Sequence, residues 1–379
     1  MAQRIAINGL SVNSQPSGGK TYLLNLLEEL TTIAGDDYQF YLLCSKRTTS
    51  IFSEKVTSPN VHLIAVPTLT ANPLVRITVE QLFLPVWLWY NRIDLLFAAR
   101  NVMPLLATCH TVIGIHSMHL NYENKNLPWW RQLYGPLILR ASAKRAAAYL
   151  AVSEYAGHTY MEKYGLGSKR LFISLEGFKQ KEAGNGHLKT NPVGLEYLLF
   201  VSTLFPHKNV PFLLRIFAQV AQIRSSTVLV IVGRDVDGSL LELKELAEEL
   251  SISNRVHFLG AVTDDELMQL YASAHIFVFP SLVEGFGLTV LEAMAHSVPV
   301  VVSNRTSIPE VVGDAGIVLD PDNEGAWVEA ILQILENNQL HQELSLRASN
   351  RAKMFTWRHA AEATLDCFHT VLSTSGKRR

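Results

Sequence analysis

The residues with the clearest chemical use fall between Phe279 and Ala295, in Phe-Pro-Ser-Leu-Val-Glu-Gly-Phe-Gly-Leu-Thr-Val-Leu-Glu-Ala-Met-Ala. An apolar run ends there, a glycine loop follows, and a helical pattern begins near Leu288. Gly285 and Gly287 let backbone amides come close to a ligand, and a helix start aims unpaired N–H groups and a positive dipole end at an anion. A diphosphate fits that description. Glu284 falls in the loop and Glu292 about a turn into the helix, too far apart along the chain to make an acid/base pair by adjacency. Each suits the acceptance of hydrogen bonds from the vicinal hydroxyls of a ribose or hexose. Taken alone, a helix-borne Glu after a glycine loop is more often a surface residue or a compensation of the helix dipole.

Three other places carry candidate chemistry. In Val201–Asn209, Val-Ser-Thr-Leu-Phe-Pro-His-Lys-Asn closes a strand and opens a helix, so Lys208 is placed to reach a phosphate. Ser14-Gln-Pro-Ser-Gly-Gly-Lys-Thr21 invites comparison with an ATP-binding P-loop, but the required first glycine is Ser14, and the spacing rejects it. His116 follows the apolar run Val112–Ile115; a histidine at a strand end is as often structural as reactive. The adjacent carboxylates Asp36-Asp37 and Asp264-Asp265 stand at a loop and a helix start, where capping accounts for them better than metal binding.

The run Pro-Ser-x-x-Glu-Gly-Phe-Gly-Leu, the E-x7-E spacing of Glu284 and Glu292, and the later Pro299-Val-Val and Pro309-Glu-Val-Val-Gly-Asp-Ala-Gly316 resemble the donor loop of GT4-type retaining glycosyltransferases with the GT-B fold. The likeness extends from Gly18-Gly19 to Phe355-Thr356-Trp357. It implies an enzyme that moves a hexosyl group from a nucleotide sugar, GDP- or UDP-linked, with retention at the anomeric carbon, no cofactor and no bound metal. Glu284 would contact the donor sugar and Glu292 the ribose. Phe286, Gly287, Leu288 and Thr289, with Gly285, would offer backbone contacts to sugar and diphosphate, and the Gly18-Gly19 turn would present amides to the phosphate. Where the family carries an Arg and a Lys to neutralise the diphosphate, this chain has Thr203 and Lys208. His207 stands where a subgroup has a second Arg, and Arg234 is a candidate replacement. His116 matches the histidine of a His-Asp element on the acceptor side; Ser117 replaces the Asp, so no orienting carboxylate is expected beside it. The Lys208-Asn209 pair resembles mannosyl-type transferases, which favours GDP-mannose over UDP-sugars.

Elements able to hold these residues are legible in the rest of the chain. Its 379 residues exceed the size at which one core keeps growing, so two domains of about 180 residues are expected. Short apolar runs alternate with longer helical spacings, as in parallel sheets covered by helices. Strands are expected at Arg4–Asn8, Gln39–Leu43, His62–Ala65, Leu95–Ala98, Val112–Ile115 and Tyr149–Val152, with helices near Thr21–Ala34, Thr78–Tyr90 and Trp129–Ala147. After a polar stretch at residues 179–196, read as a linker, the pattern restarts with strands at Tyr197–Ser202, Thr227–Val232, Val256–Leu259, Ile276–Phe279 and Val298–Val302. Helices alternate with them at Val210–Ile223, Leu240–Leu250, Asp264–Ala274 and Leu288–His296. The fold class expected is α/β, two Rossmann-like doubly wound domains facing a central cleft. Residues 1–178 would bind the acceptor and 197–356 the donor, and a helix from Trp357 onward would return to the first domain, ahead of a frayed tail.

Composition excludes other classes. Hydrophobic residues make up 48% and charged residues 18%, against disorder, and a net charge of −1 supplies no field for nucleic acid. Three widely spaced cysteines, Cys44, Cys109 and Cys367, suggest neither disulfides nor zinc. No signal peptide opens the sequence, and the longest apolar run, Leu82–Tyr90, is far short of the roughly 20 residues that span a bilayer. A cytoplasmic protein is expected, acting on a glycan or a lipid-linked acceptor. Trp129-Trp130-Arg131 with Arg140, Lys144 and Arg145 suits peripheral contact with the inner face of a membrane; a solvated helix with core tryptophans explains it equally. Two other readings stay open, a catalytically silent subunit of the same fold that binds sugar nucleotide or glycan, which Thr203 and Ser117 motivate, and a sugar-nucleotide epimerase.

Overall fold

The computed structural model describes residues 2–12, 18–67, 73–116, 129–167, 170–179 and 194–374. The chain forms two compact units, one of Met1–Gly177 with Thr356–Arg379 and one of Phe178–Phe355. The expected linker lies for the most part outside the described residues, as do Ser14–Ser17 and Ser117.

The first unit is built on seven parallel strands: β1 (Gln3–Asn8), β2 (Tyr38–Ser45), β3 (Val61–Val66), β4 (Leu95–Ala98), β5 (His110–Ile115), β6 (Ala148–Ala151) and β7 (Leu171–Ile173). Their order is β3-β2-β1-β4-β5-β6-β7, so the winding reverses between β1 and β4. β4 and β6 are buried at every position, which is why Leu-Leu-Phe-Ala and Ala-Tyr-Leu-Ala show no polar alternation. The edge strand β3 is only partly covered. Helices α1 (Gly18–Ile33), α2 (Thr49–Lys55), α3 (Pro73–Thr78), α4 (Leu84–Tyr90), α5 (Trp129–Arg145) and α6 (Glu154–Tyr164) connect the strands. α1 starts three residues earlier than the spacing suggested, so Gly18 and Gly19 form its first turn and not a separate turn before it. The single helix expected at Thr78–Tyr90 is α3 and α4 joined through a π-helical turn, Val79–Phe83. The C-terminal helix Trp357–Ser373 belongs to this unit: Trp357 meets Tyr22 of α1 edge-on at 6.0 Å and Phe368 meets Phe97 of β4 at 5.6 Å.

The second unit holds six parallel strands in the order β10-β9-β8-β11-β12-β13. They are β8 (Tyr197–Val201), β9 (Val228–Val232), β10 (Val256–Gly260), β11 (Ile276–Phe279), β12 (Val300–Ser303) and β13 (Ile317–Leu319). β8, β9, β11 and β12 are wholly buried, while β10, at an edge, is buried only at Val256 and alternates exposed with partly covered positions after it. Its helices are α7 (Val210–Ile223), α8 (Leu240–Glu249), α9 (Asp264–Ser273), α10 (Leu288–Ala295), α11 (Ile308–Val312), α12 (Glu324–Glu336) and α13 (Asn338–Ala352); the C-terminal helix of the first unit is α14. Asp264 and Asp265 lie in the first turn of α9, where Thr263 and Glu266 form the reciprocal cap and the carboxylates face the positive end of the helix dipole. α7 and α12 pack together, with Phe212 edge-on to Trp327 at 5.5 Å.

In each sheet the chain leaves two adjacent strands in opposite lateral directions, between β1 and β4 and between β8 and β11. Such a switch point opens a crevice beyond the carboxyl ends of the strands, and that is where ligands bind in open α/β sheets.

Candidate functional site

At the switch point of the second unit, the loops after β8, β11 and β12 converge. The β8 loop carries Thr203, His207 and Lys208; it ends at Asn209, in the left-handed region at φ 59°, which turns the chain into α7. Leu282 N–H donates to the carbonyl of His207 at 2.8 Å and Ser281 Oγ donates to the same oxygen at 3.3 Å, so the β11 loop is tied to the β8 loop through His207's backbone. The buried His207 ring stacks on Phe205 at 5.6 Å. Leu204 N–H donates to the carbonyl of Arg234, which places Arg234 on the neighbouring loop beside Thr203.

Lys208 Nζ donates to Glu284 Oε1 at 2.5 Å, with the two side chains 11% and 10% exposed. The ammonium also lies over the Phe279 ring at 5.7 Å. The loop bearing Glu284 is braced from β12's side: Thr306 Oγ1 accepts from Glu284 N–H at 2.9 Å, and Ser307 Oγ donates to the carbonyls of Glu284 and Phe286 at 3.1 and 3.0 Å. Thr306 itself adopts φ 57°, an uncommon conformation for a β-branched residue and a source of strain.

Gly287 is the N-cap of α10 at φ 112°, a conformation that a residue with a Cβ rarely adopts. No side chain caps this helix start. Its carbonyl accepts from Val290 and Leu291, so the amides that precede them, on Leu288 and Thr289, belong to the set a helix leaves without an internal partner. Together with the helix dipole they form a place for an anion. One turn on, Glu292 Oε2 accepts from Tyr271 Oη at 2.9 Å. Tyr271 is buried and stacks on His296 at 5.4 Å. Burial raises its phenol well above the ordinary range, and the adjacent Glu292 carboxylate raises it further, so Tyr271 stays a donor. Glu284 and Glu292 thus have separate partners, a cation and a phenol.

The first unit has its own group of candidates at the carboxyl ends of β1, β4 and β5. Gly18 and Gly19 open α1, and a Cβ on Gly19 would meet the Arg100 guanidinium at 3.9 Å. His116 follows β5 and lies edge-on to Tyr22 at 4.2 Å. The expectation that no carboxylate orients it is corrected here: Glu176, after β7, places Oε1 3.8 Å from His116 Nδ1. Sequence reasoning missed this because the two residues are sixty positions apart and share no motif. Glu80, in the π-helical turn, was missed too. It accepts from Asn8 Nδ2 at 3.2 Å at the end of β1, and burial raises its pKa although Arg76, the Asn8 hydrogen bond and Arg100 pull the other way. A π-turn with a charged residue is the type of irregularity found at functional sites. Among the described residues no group of His, Cys, Asp and Glu is arranged to hold a metal ion.

Residues 16–173 match the family Glycosyltransferase Family 4 and residues 189–353 match Glycosyl transferases group 1, so the two profiles between them take in most of the chain. O-antigen chain mannosyltransferase B of Escherichia coli is 38% identical over 174 residues, 45% of either chain, so the matched region spans less than half of that relative. O-antigen chain mannosyltransferase RfbU of Salmonella typhimurium is 26% identical over 86% of this chain and 90% of its own. Among solved structures, the sucrose-phosphate synthase of Thermosynechococcus elongatus superposes with a TM-score of 0.76 at 18% identity, covering 98% of this chain and 100% of the other, a likeness of fold. With two parallel α/β units, both family profiles and relatives of this kind, the chain belongs to the GT4-type glycosyltransferases of the GT-B fold.

Proposed function

We propose that this glycosyltransferase moves a mannosyl group from GDP-mannose to a glycan or lipid-linked acceptor in polysaccharide synthesis, with retention at the anomeric carbon. The observation that carries the reading is the convergence, at the carboxyl ends of β8 and β11, of the Lys208–Glu284 pair, the uncapped start of α10 and the Tyr271-held Glu292. Each has a part in holding a nucleotide sugar. Lys208 and the amides of Gly287, Leu288 and Thr289 neutralise the diphosphate as its charge grows on departure, the kind of stabilisation that contributes most when donors are fixed in advance. Glu284, with the backbone of Gly285 and Phe286, accepts from hydroxyls of the transferred sugar; Glu292 accepts from the ribose. Thr203 completes the phosphate surroundings in the second unit; in the first, the turn of α1 at Gly18 and Gly19 offers amides suited to a phosphate, and His116 serves the acceptor side. A phosphate oxygen of the leaving group takes the acceptor's proton on the face where the new bond forms, which retains configuration without a metal. The mannosyl assignment is supported by the Lys208-Asn209 pair and by the names of the O-antigen relatives.

Peripheral contact with a membrane belongs to the same reading. Leu82, Phe83, Val86, Trp89 and Tyr90 are all more than 60% exposed on the π-turn and α4, an apolar face of the kind that enters a lipid interface. The side chains of Trp129–Arg131 lie outside the described residues.

Isothermal titration calorimetry with GDP-mannose, UDP-glucose and UDP-galactose tests the donor. Saturable heat with GDP-mannose alone is the expected result, and heat only with the UDP-sugars would refute the mannosyl assignment. GDP-mannose that binds but is not consumed in the presence of glycan acceptors would point to the silent-subunit alternative.

A further inference from the structure

The first unit encloses an unusual pair that no motif describes. His116 Nδ1 is fully buried and has no hydrogen-bond partner among the described residues. The carboxylate oxygen Oε1 of Glu176 lies 3.8 Å from it, on a side chain only 7% exposed. The imidazole has little freedom to turn elsewhere. Its Nε2 lies 3.2 Å from the point where a Cβ on Gly114 would stand, and the Tyr22 ring meets it edge-on from α1 at 4.2 Å, while 21% of the side chain stays exposed.

Glu176 is held as firmly. A Cβ on the next residue, Gly177, would lie 2.2 Å from Trp357 N, so the chain at this point is pressed against the start of α14 where only glycine fits. Two residues upstream of Glu176, Ser174 N–H donates to Ala151 O at 2.8 Å and Ser174 Oγ donates to Ala360 O at 2.9 Å. The backbone on both sides of the carboxylate is therefore anchored to β6 and α14. The carboxylate is thus brought, by a segment whose backbone is anchored on both sides, to within 3.8 Å of the buried nitrogen of a histidine.

Resting on the reading of His116 as the acceptor-side group of the transfer site, we propose that Glu176 is the positioning residue for His116, its carboxylate accepting the Nδ1–H and so fixing the imidazole in the tautomer whose Nε2 receives a hydrogen bond from a substrate hydroxyl. Closing the pair from 3.8 Å to an ordinary N–H···O distance needs a movement of about 1 Å, which a small change in the Glu176 side-chain torsions supplies while the ring and both backbones stay in place. The tautomer of a histidine is set by the hydrogen bond its other nitrogen makes. Glu176 acts from a different strand end, so Ser117 at the position after His116 does not leave the ring without a carboxylate.

The test uses the full chain carrying Glu176→Ala, Glu176→Met, His116→Ala and the Glu176→Ala/His116→Ala double replacement. The tautomer is read from ring 15N shifts in long-range 1H–15N spectra, with His116 assigned among the 13 histidines by its loss in His116→Ala. The Nδ1–H form is expected in the wild type at pH 8 and the Nε2–H form in Glu176→Ala. In turnover of GDP-mannose, Glu176→Ala is expected to lower kcat roughly 10- to 100-fold, the usual scale for an orienting partner, with the donor KM within about twofold. The same replacement in the His116→Ala background should cost nothing further. An unchanged His116 tautomer, or losses that multiply in the double variant, would overturn the proposal. The spectra need no turnover, so they decide the positioning role even where the donor assignment fails. Glu176→Met keeps most of the side-chain length and volume without an acceptor oxygen, and gives the same spectral readout should the alanine variant fold poorly.

Discussion

Replacing one member of the Lys208–Glu284 pair should cost more stability than replacing both. At 2.5 Å the Coulomb attraction is about 7 kcal/mol for an effective dielectric of 20. With side chains about one-tenth exposed, withdrawal of the two ions from water costs several kcal/mol each, so the intact pair contributes little net. Removing one partner leaves the desolvation of the other without compensation, a loss of about 3–5 kcal/mol. Glu284→Gln and Lys208→Met preserve side-chain volume, so most of that loss is electrostatic. At about 2–4 °C per kcal/mol for a domain of 150–250 residues, each single replacement should lower the melting transition of the second unit by roughly 6–20 °C. The Glu284→Gln/Lys208→Met variant should recover at least half of that. Differential scanning calorimetry of the four proteins gives the coupling energy directly. Single replacements whose effects add, or that each cost under about 1 kcal/mol, would show that the pair is solvated and that the site is not the preorganised, desolvated one described here.

Other consequences concern the neighbouring groups. Tyr271→Phe deletes the hydroxyl that holds Glu292; with about 1.5–3 kcal/mol for a hydrogen bond to a charged acceptor, the Kd for GDP-mannose should rise roughly 10- to 150-fold by calorimetry, and an unchanged Kd would remove Glu292 from the donor site. Gly287→Ala forces a Cβ into φ 112° and should cost about 1–3 kcal/mol in thermal unfolding while weakening donor binding, because the amides at the start of α10 are re-aimed. Glu80 has a raised folded-state pKa, so the folded state holds its proton at pH values where the unfolded chain has released it; its contribution is present below the ordinary carboxylate range and is lost as the pH rises through the folded value. Glu80→Gln should therefore flatten the fall of melting temperature as the pH rises above the ordinary carboxylate range, and a pH dependence identical to that of the wild type would contradict the assigned burial.

What the amino-acid order revealed depended on how locally each feature is encoded. The strand, loop and helix from Phe279 to Ala295 are contiguous, and the apolar run, glycines and helical spacing can be read without knowing the fold. β8, β9, β11 and β12 are buried on both faces and so appear as unbroken apolar runs. β7 and β13 are three residues each, too short for a period to show. α12 and α13 are not among the helices expected from the spacing, although Asn323 and Asn337 mark both starts as side-chain caps. The site's supporting residues come from elsewhere in the chain. Tyr271 reaches Glu292 from a preceding helix, Thr306 and Ser307 reach the Glu284 loop from beyond β12, and Glu176 reaches His116 from beyond β7. No spacing signals these contacts, because parallel-sheet topology alone brings the ends of those elements together. Lys208 was legible as a cation near the site, but its partner in the structure is Glu284, a pairing that only the adjacency of β8 and β11 creates.

The central claim is that the site around Glu284 holds and cleaves a sugar nucleotide. A 31P NMR time course of GDP-mannose with the full-length protein, with and without a mannan acceptor, measures this directly. Wild-type protein should release GDP, faster with acceptor, while Glu284→Ala, shown folded by circular dichroism at a temperature below its melting transition, should release none above the uncatalysed background. Equal rates of GDP release from the wild type and Glu284→Ala would contradict the account.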